Sequence, residues 1–125
     1  MSYIKFNNHP KGLETTDCVV RAISKALDKD YLETRRELNR VKRELGFQSY
    51  KKTKFIYKYL EDYERLIIRV EKGKPRLKGY DFVEKYPKGT YILKMTGHIT
   101  VVVDGVLYDL WDSRYRSVYT AWKIK

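Results

Sequence analysis

The sequence predicts an α+β fold, with helices in the first half packed on an antiparallel sheet made by the second. Three observations carry this. Apolar residues recur at helical spacing between Cys18 and Tyr63. Apolar, β-branched runs take over from Tyr91 onward. Asp104-Gly105 stands between two such runs, and both residues tolerate the positive φ that a two-residue hairpin turn demands.

Taken in order, residues 1–16 hold Asn7, Asn8, Pro10 and Gly12 and read as an extended arm or loop. Thr16-Asp17 supplies N-cap chemistry for a helix from Cys18 to about Leu27, with Val19, Ala22, Ile23, Ala26 and Leu27 as its apolar stripe. Asp30 with Glu33 starts a second helix in capping-box fashion, and Gly46 ends it near Leu45. Its inner face is expected to be Leu32, Leu38, Val41 and Leu45. Thr53 caps a third helix whose shared face is Ile56, Tyr59, Leu60 and Tyr63. Leu66–Val70 reads as a strand, Lys72–Lys78 as a basic turn, and Tyr80–Tyr86 as a short helix closed by Pro87. Strands follow at Tyr91–Met95, His98–Val103, Val106–Trp111 and Ser117–Ile124.

Composition narrows the class. A chain of 125 residues, 42% hydrophobic and 14% aromatic, is expected to fold as one globular domain, residues 1–125, rather than to be disordered. One cysteine excludes an internal disulfide and suits a reducing cytosol. Two histidines and one cysteine are too few for a structural zinc site. Residues 1–11 lack the apolar segment of a signal peptide, and no run approaches a membrane span, so a cytoplasmic protein without a membrane partner is expected. The net charge of +11 is spread over Arg35 to Arg43, Lys51 to Lys54 and Arg69 to Lys78, with no zinc-finger, RRM or KH pattern beside it. It reads as a solvated basic surface. Arg21 is expected at the surface as well.

The chemistry-bearing residues fall into a pattern. Cys18, the sole cysteine, opens a helix whose free N–H groups and dipole favour the thiolate and suit a developing oxyanion. His98 heads a strand. If Asp104-Gly105 is a two-residue turn, paired residue numbers sum to 209, so Asp109 lies opposite Thr100 and diagonal to His98. Asp112 is the alternative acid, brought round by a bulge or a one-residue slip. A cysteine with a distant histidine and carboxylate is the arrangement of a thiol nucleophile, its base and the group orienting that base.

On this order of elements, and on Thr16-Asp17-Cys18-Val19-Val20-Arg21, Tyr86-Pro87-Lys88-Gly89-Thr90-Tyr91 and Gly97-His98 through Tyr108-Asp109-Leu110-Trp111-Asp112-Ser113, the chain resembles the papain-like cysteine peptidase fold in compact form, in particular a group of small phage and prophage proteins. Asp17-Cys18 is similar to the Asp-Cys pair of bacteriocin-processing peptidases, and Asp109-Leu110-Trp111 to the Asn-x-Trp of papain-like enzymes. The resemblance implies Cys18 as nucleophile, His98 as base and Asp109 as orienter, acting on a peptide, isopeptide or amide bond without a cofactor. It also implies a side chain for the oxyanion hole, usually Gln, about six residues before the cysteine. Gly12 stands there instead, and Asn7, Asn8 and Thr16 are the nearest substitutes. Two other functions follow from that departure and from the charge: a catalytically weak member of the fold that binds a host protein, and a basic nucleic-acid-binding protein.

Overall fold

The computed structural model describes residues 2–125. Its elements are β1 (Tyr3–Lys5), α1 (Cys18–Leu27), α2 (Tyr31–Leu45), α3 (Thr53–Tyr59), β2 (Glu64–Ile67), α4 (Gly79–Lys85), β3 (Thr90–Met95), β4 (His98–Val103), β5 (Val106–Asp109) and β6 (Thr120–Lys123). The strands form one six-stranded sheet in the order β1-β5-β4-β3-β6-β2. The α+β class is as expected.

Helices cover both faces of the sheet. Val20, Ile23, Leu38, Phe55 and Leu60 of the α1–α3 region gather with Ile92, Val101 and Trp122 on one side. Phe82 and Val83 of α4 pack with Leu93, Val102 and Leu107 on the other. The central strands β3 and β4 are thus largely apolar on both faces, which is why Tyr91-Ile92-Leu93 and Val101-Val102-Val103 do not alternate with polar residues.

The sheet departs from the expected antiparallel layout in one place. Residues 3–5, read as an arm or loop, form β1 and pair in parallel with β5, Lys5 opposite Asp109, so the sheet is mixed. Three residues carry no periodicity to detect, and their partner lies more than a hundred positions away. The flanking strands are also shorter than expected. β5 ends at Asp109 rather than Trp111, and β2 and β6 pair only over Glu64–Ile67 and Thr120–Lys123. Ser117 is held by a single bridge to Lys78.

Helix ends follow local chemistry closely. The Asp30 carboxylate accepts from the Glu33 N–H at 3.1 Å, and Gly46 closes α2 with φ 77°. The inner face of α2 is rotated from the expected one: Tyr31, Thr34 and Leu38 are buried, whereas Leu32 and Leu45 are 37% and 42% exposed. Tyr31 sets that phase, because its hydroxyl is bound to Asp17 beneath it. Asp17 occupies the N-cap position of α1 but makes no side-chain cap bond, its carboxylate being drawn to Tyr31 and Arg21. Thr53 is the first residue of α3 rather than its cap. Among the described residues no helix is long and apolar enough to cross a membrane.

Candidate active site

The geometry of the site begins with two turns. Asp104 (φ 47°) and Gly105 (φ 76°) form the two-residue turn, and Val103 pairs with Val106, Val102 with Leu107 and Val101 with Tyr108. On the other side of β4, Met95 pairs with His98 across Thr96-Gly97, and Gly97 takes φ 61°. Beyond Val101–Tyr108 the ladder between β4 and β5 stops. His98 and Asp109 meet where these two strands part, Nε2 to Oδ2 at 2.7 Å. β1 fixes the far side of the acid, since the Phe6 N–H donates to the Asp109 carbonyl at 2.8 Å.

Helix α1 packs on β4 and brings Cys18 to the same place, where it lines one cleft with His98 and Ile99. Asp109 occupies Nε2 of the imidazole, which leaves Nδ1 for the sulfur. Burial works against the Cys18 thiolate, but the hydrogen bond and charge of His98, the Ile99 backbone and Arg21 outweigh it, and the thiol pKa lies below its ordinary value. Burial likewise disfavours the imidazolium. The hydrogen bonds to Asp109 and Cys18 and their charges reverse that and push His98 up to about 9. Burial would raise Asp109, yet His98, Ser113 and Thr100 hold it below the usual carboxylate range. Both shifts favour the thiolate–imidazolium form of the pair.

Asp109 is fully buried and its carboxylate is saturated. Oδ2 accepts from His98 and from the Ser113 hydroxyl at 2.8 Å; Oδ1 accepts from its neighbour's Leu110 N–H at 2.8 Å and from Arg21 Nη2 at 3.1 Å. Arg21 was expected at the surface and is instead 3% exposed. Its other nitrogen, Nη1, donates to Asp17 Oδ1 at 2.5 Å, and Tyr31 donates to Asp17 Oδ2 at 2.6 Å. Burial first, and then the bond to Asp17, raises the Tyr31 pKa, so the phenol stays a donor. From Asp17 through Arg21 and Asp109 to His98 the charges alternate in sign. Each buried ion has an opposite neighbour, the condition under which buried charge is tolerated. The i,i+4 spacing of Asp17 and Arg21 was visible in the sequence; the second bond of Arg21, across 88 positions, was not.

Trp111 lies over the imidazole, ring centroids 4.7 Å apart and 33° from parallel, and its own outer face is exposed. It covers one face of the imidazole. Asp112, the alternative acid, is elsewhere. It forms a forked pair with Arg114, Nε to Oδ1 at 2.8 Å and Nη2 to Oδ2 at 2.7 Å, which turns it away from the histidine.

No family model, curated protein or solved structure matches the chain.

Of the three upstream candidates for an oxyanion-hole side chain, the structure brings only Thr16 to the cysteine. Asn7 closes its own loop, donating to the Leu13 carbonyl at 3.1 Å and accepting from the His9 N–H at 3.0 Å. Asn8 donates to Ser24 Oγ at 2.8 Å, six residues along α1 from Cys18. Thr16 lines the cleft at the thiol, a cavity of about 210 Å³ that also presents Lys51, Lys94 and Ile99. The N–H groups of the first turn of α1 remain as donors there, without intrahelical partners. A larger cavity, about 470 Å³ between the basic turn and α4, holds Arg69, Arg76 and Lys85 but neither cysteine nor histidine. Among the described residues no group of three His, Cys, Asp or Glu side chains gathers to hold a metal ion.

Proposed function

We propose that the chain is a papain-like thiol hydrolase that cleaves a peptide, isopeptide or other amide bond through Cys18. The observation that carries this is the meeting of Cys18 and His98 in one cleft, with His98 bonded at 2.7 Å to the buried Asp109.

In the first half-reaction the thiolate Sγ attacks the carbonyl carbon, a C–S bond forms, and the carbonyl π pair moves onto oxygen. The Cys18 N–H at the helix start donates to that oxyanion. Collapse restores the C=O bond and breaks C–N, and His98 gives its proton to the departing nitrogen, leaving a thioester. Water then attacks the thioester while His98 takes one of its protons. The C–S bond breaks, the acid leaves, and the thiolate is restored. Asp109 holds the imidazole in one orientation throughout, and Arg21 with Ser113 holds Asp109.

The placement of Asn7 and Asn8 away from the cysteine favours a second function, in which the cleft binds a protein partner and turnover is slow. An activated ester distinguishes the two. Incubation with p-nitrophenyl acetate is expected to add one acetyl group to Cys18, with release of p-nitrophenol continuing beyond one equivalent. Cys18→Ala and His98→Ala should both abolish continued release. Acetylation that stops at one equivalent would favour the binding function, and no acetylation of Cys18 would contradict both the nucleophile and the hydrolase.

A further inference from the structure

We infer that the cleft beside Cys18 is an anion subsite built on Lys51 and Lys94, and that the substrate is an acidic one, carrying a carboxylate next to the reacting carbonyl. The inference rests on Cys18 being the nucleophile and adds the chemistry of what it attacks.

The lining of the cleft is unbalanced in charge. Lys51 and Lys94 contribute two ammonium groups, Val19, Ile56 and Ile99 contribute apolar wall, and no Asp or Glu lines it. The two nearest buried carboxylates, Asp17 and Asp109, are already bound to Arg21 and His98. Neither lysine is in an ion pair among the described residues. Lys51 Nζ, on an exposed residue, reaches Thr16 Oγ1 at 3.2 Å. Lys94 Nζ has only the carbonyl of its neighbour Met95, at 2.7 Å.

Lys94 comes from β3, opposite Ile99 and one step from the Met95–His98 pair, so the sheet itself carries this cation to the mouth of the site. It is half-buried. Burial, and then repulsion from Arg116, work against its charge, while the Cys18 thiolate supports it. Arg116 itself is spent on the Thr96 carbonyl at 2.6 Å. An ammonium that has lost hydration and gained no carboxylate is a site for an incoming anion. Once the thiolate is consumed in the C–S bond, its compensating charge is gone from the cleft, and a substrate carboxylate would replace it. A neutral peptide would leave both lysines unanswered.

Two alkylating reagents of near-equal size test this without a known substrate: iodoacetate, with a carboxylate beside the reacting carbon, and neutral iodoacetamide. The ratio of their rates at Cys18 is expected to exceed that of an unstructured cysteine peptide and to fall as salt is added. In Lys51→Gln/Lys94→Gln the ratio should drop about fivefold or more, as loss of two nearby cations predicts. Lys51→Arg/Lys94→Arg should restore it. His98 is intact in all these proteins, so its own charge cancels from the comparison. A ratio unchanged in the glutamine variant, with both reagents still fast at neutral pH, would overturn the subsite while leaving the nucleophile standing. Slow reaction with both reagents in the unmodified protein would overturn the thiolate itself, and the subsite with it.

Discussion

Asp109→Asn is expected to lower the rate of acyl transfer from p-nitrophenyl acetate to Cys18 by a factor on the order of 10²–10⁴, with some loss of folding stability because Arg21 and His98 lose a buried counter-charge. The side chain keeps its size, and the amide oxygen still accepts from Ser113 or Arg21. What is lost is the full negative charge at 2.7 Å from Nε2 of His98. Burial disfavours the imidazolium, and Asp109 is the first of the groups that reverse this. Without its charge the histidine pKa falls, and the thiol, which depends on the His98 hydrogen bond and charge to overcome its own burial, rises. Asp112→Asn is the matched control, since that carboxylate is committed to Arg114 and should leave the rate within about twofold. Equal losses in the two variants would mean that the geometry around β5 is misassigned.

Arg21→Met should cost about 3–5 kcal/mol of folding stability, measured by urea denaturation. Removing one member of a buried ionic group leaves uncompensated charge behind. The guanidinium is 4% exposed and bridges Asp17 at 2.5 Å and Asp109 at 3.1 Å, and methionine offers neither carboxylate a donor. Arg21→Met/Asp17→Asn should recover part of the loss, because the Asp17 charge is then removed while Tyr31 can still donate to the amide oxygen. The same variant should raise the pH at which Cys18 becomes reactive, since Arg21 contributes to holding the thiolate. A loss under about 1 kcal/mol would place Arg21 among ordinary surface charges, where its sequence alone had put it.

Local chemistry made some of this legible in the sequence. The start of α1 at Cys18, the Asp30 cap and Gly46 stop of α2, and the Asp104-Gly105 hairpin are each written within a few residues. The hairpin register brings the chain ends carrying His98 and Asp109 to one end of the ladder. The ladder ends at Val101–Tyr108, however, so the expected pairing of Thr100 with Asp109 is not part of it, and the two side chains meet where the strands part. Features that depend on distant partners were not legible. Tyr3–Lys5 acquires its conformation from the open edge of β5, and Lys94 and Lys51 converge only when β3 and the chain before α3 are folded against α1. Arg21 looked like any charged residue on a helix. Its burial follows from Asp17 and Asp109, which lie on either side of it in space but 92 residues apart in sequence. The inner face of α2 keeps Leu38 and Val41 as expected but takes Tyr31 and Thr34 in place of Leu32 and Leu45. Leu32 carries no sign of its exposure in the sequence, because the buried Asp17 to which Tyr31 is bonded lies 14 residues back.

The pH dependence of Cys18 alkylation by iodoacetamide, in the unmodified protein and in His98→Ala, tests the thiolate–imidazolium pair most directly. Only the thiolate reacts, so the rate rises as pH increases through the thiol pKa. That rise is expected below the value of about 8.5 found for an unperturbed cysteine. Loss of His98 removes both its hydrogen bond and its charge, leaves burial acting alone with the weaker Ile99 and Arg21 contributions, and should move the rise upward. A rise at or above about 8.5 in the unmodified protein, identical in His98→Ala, would make Cys18 a half-buried thiol without a base and would contradict catalysis through it.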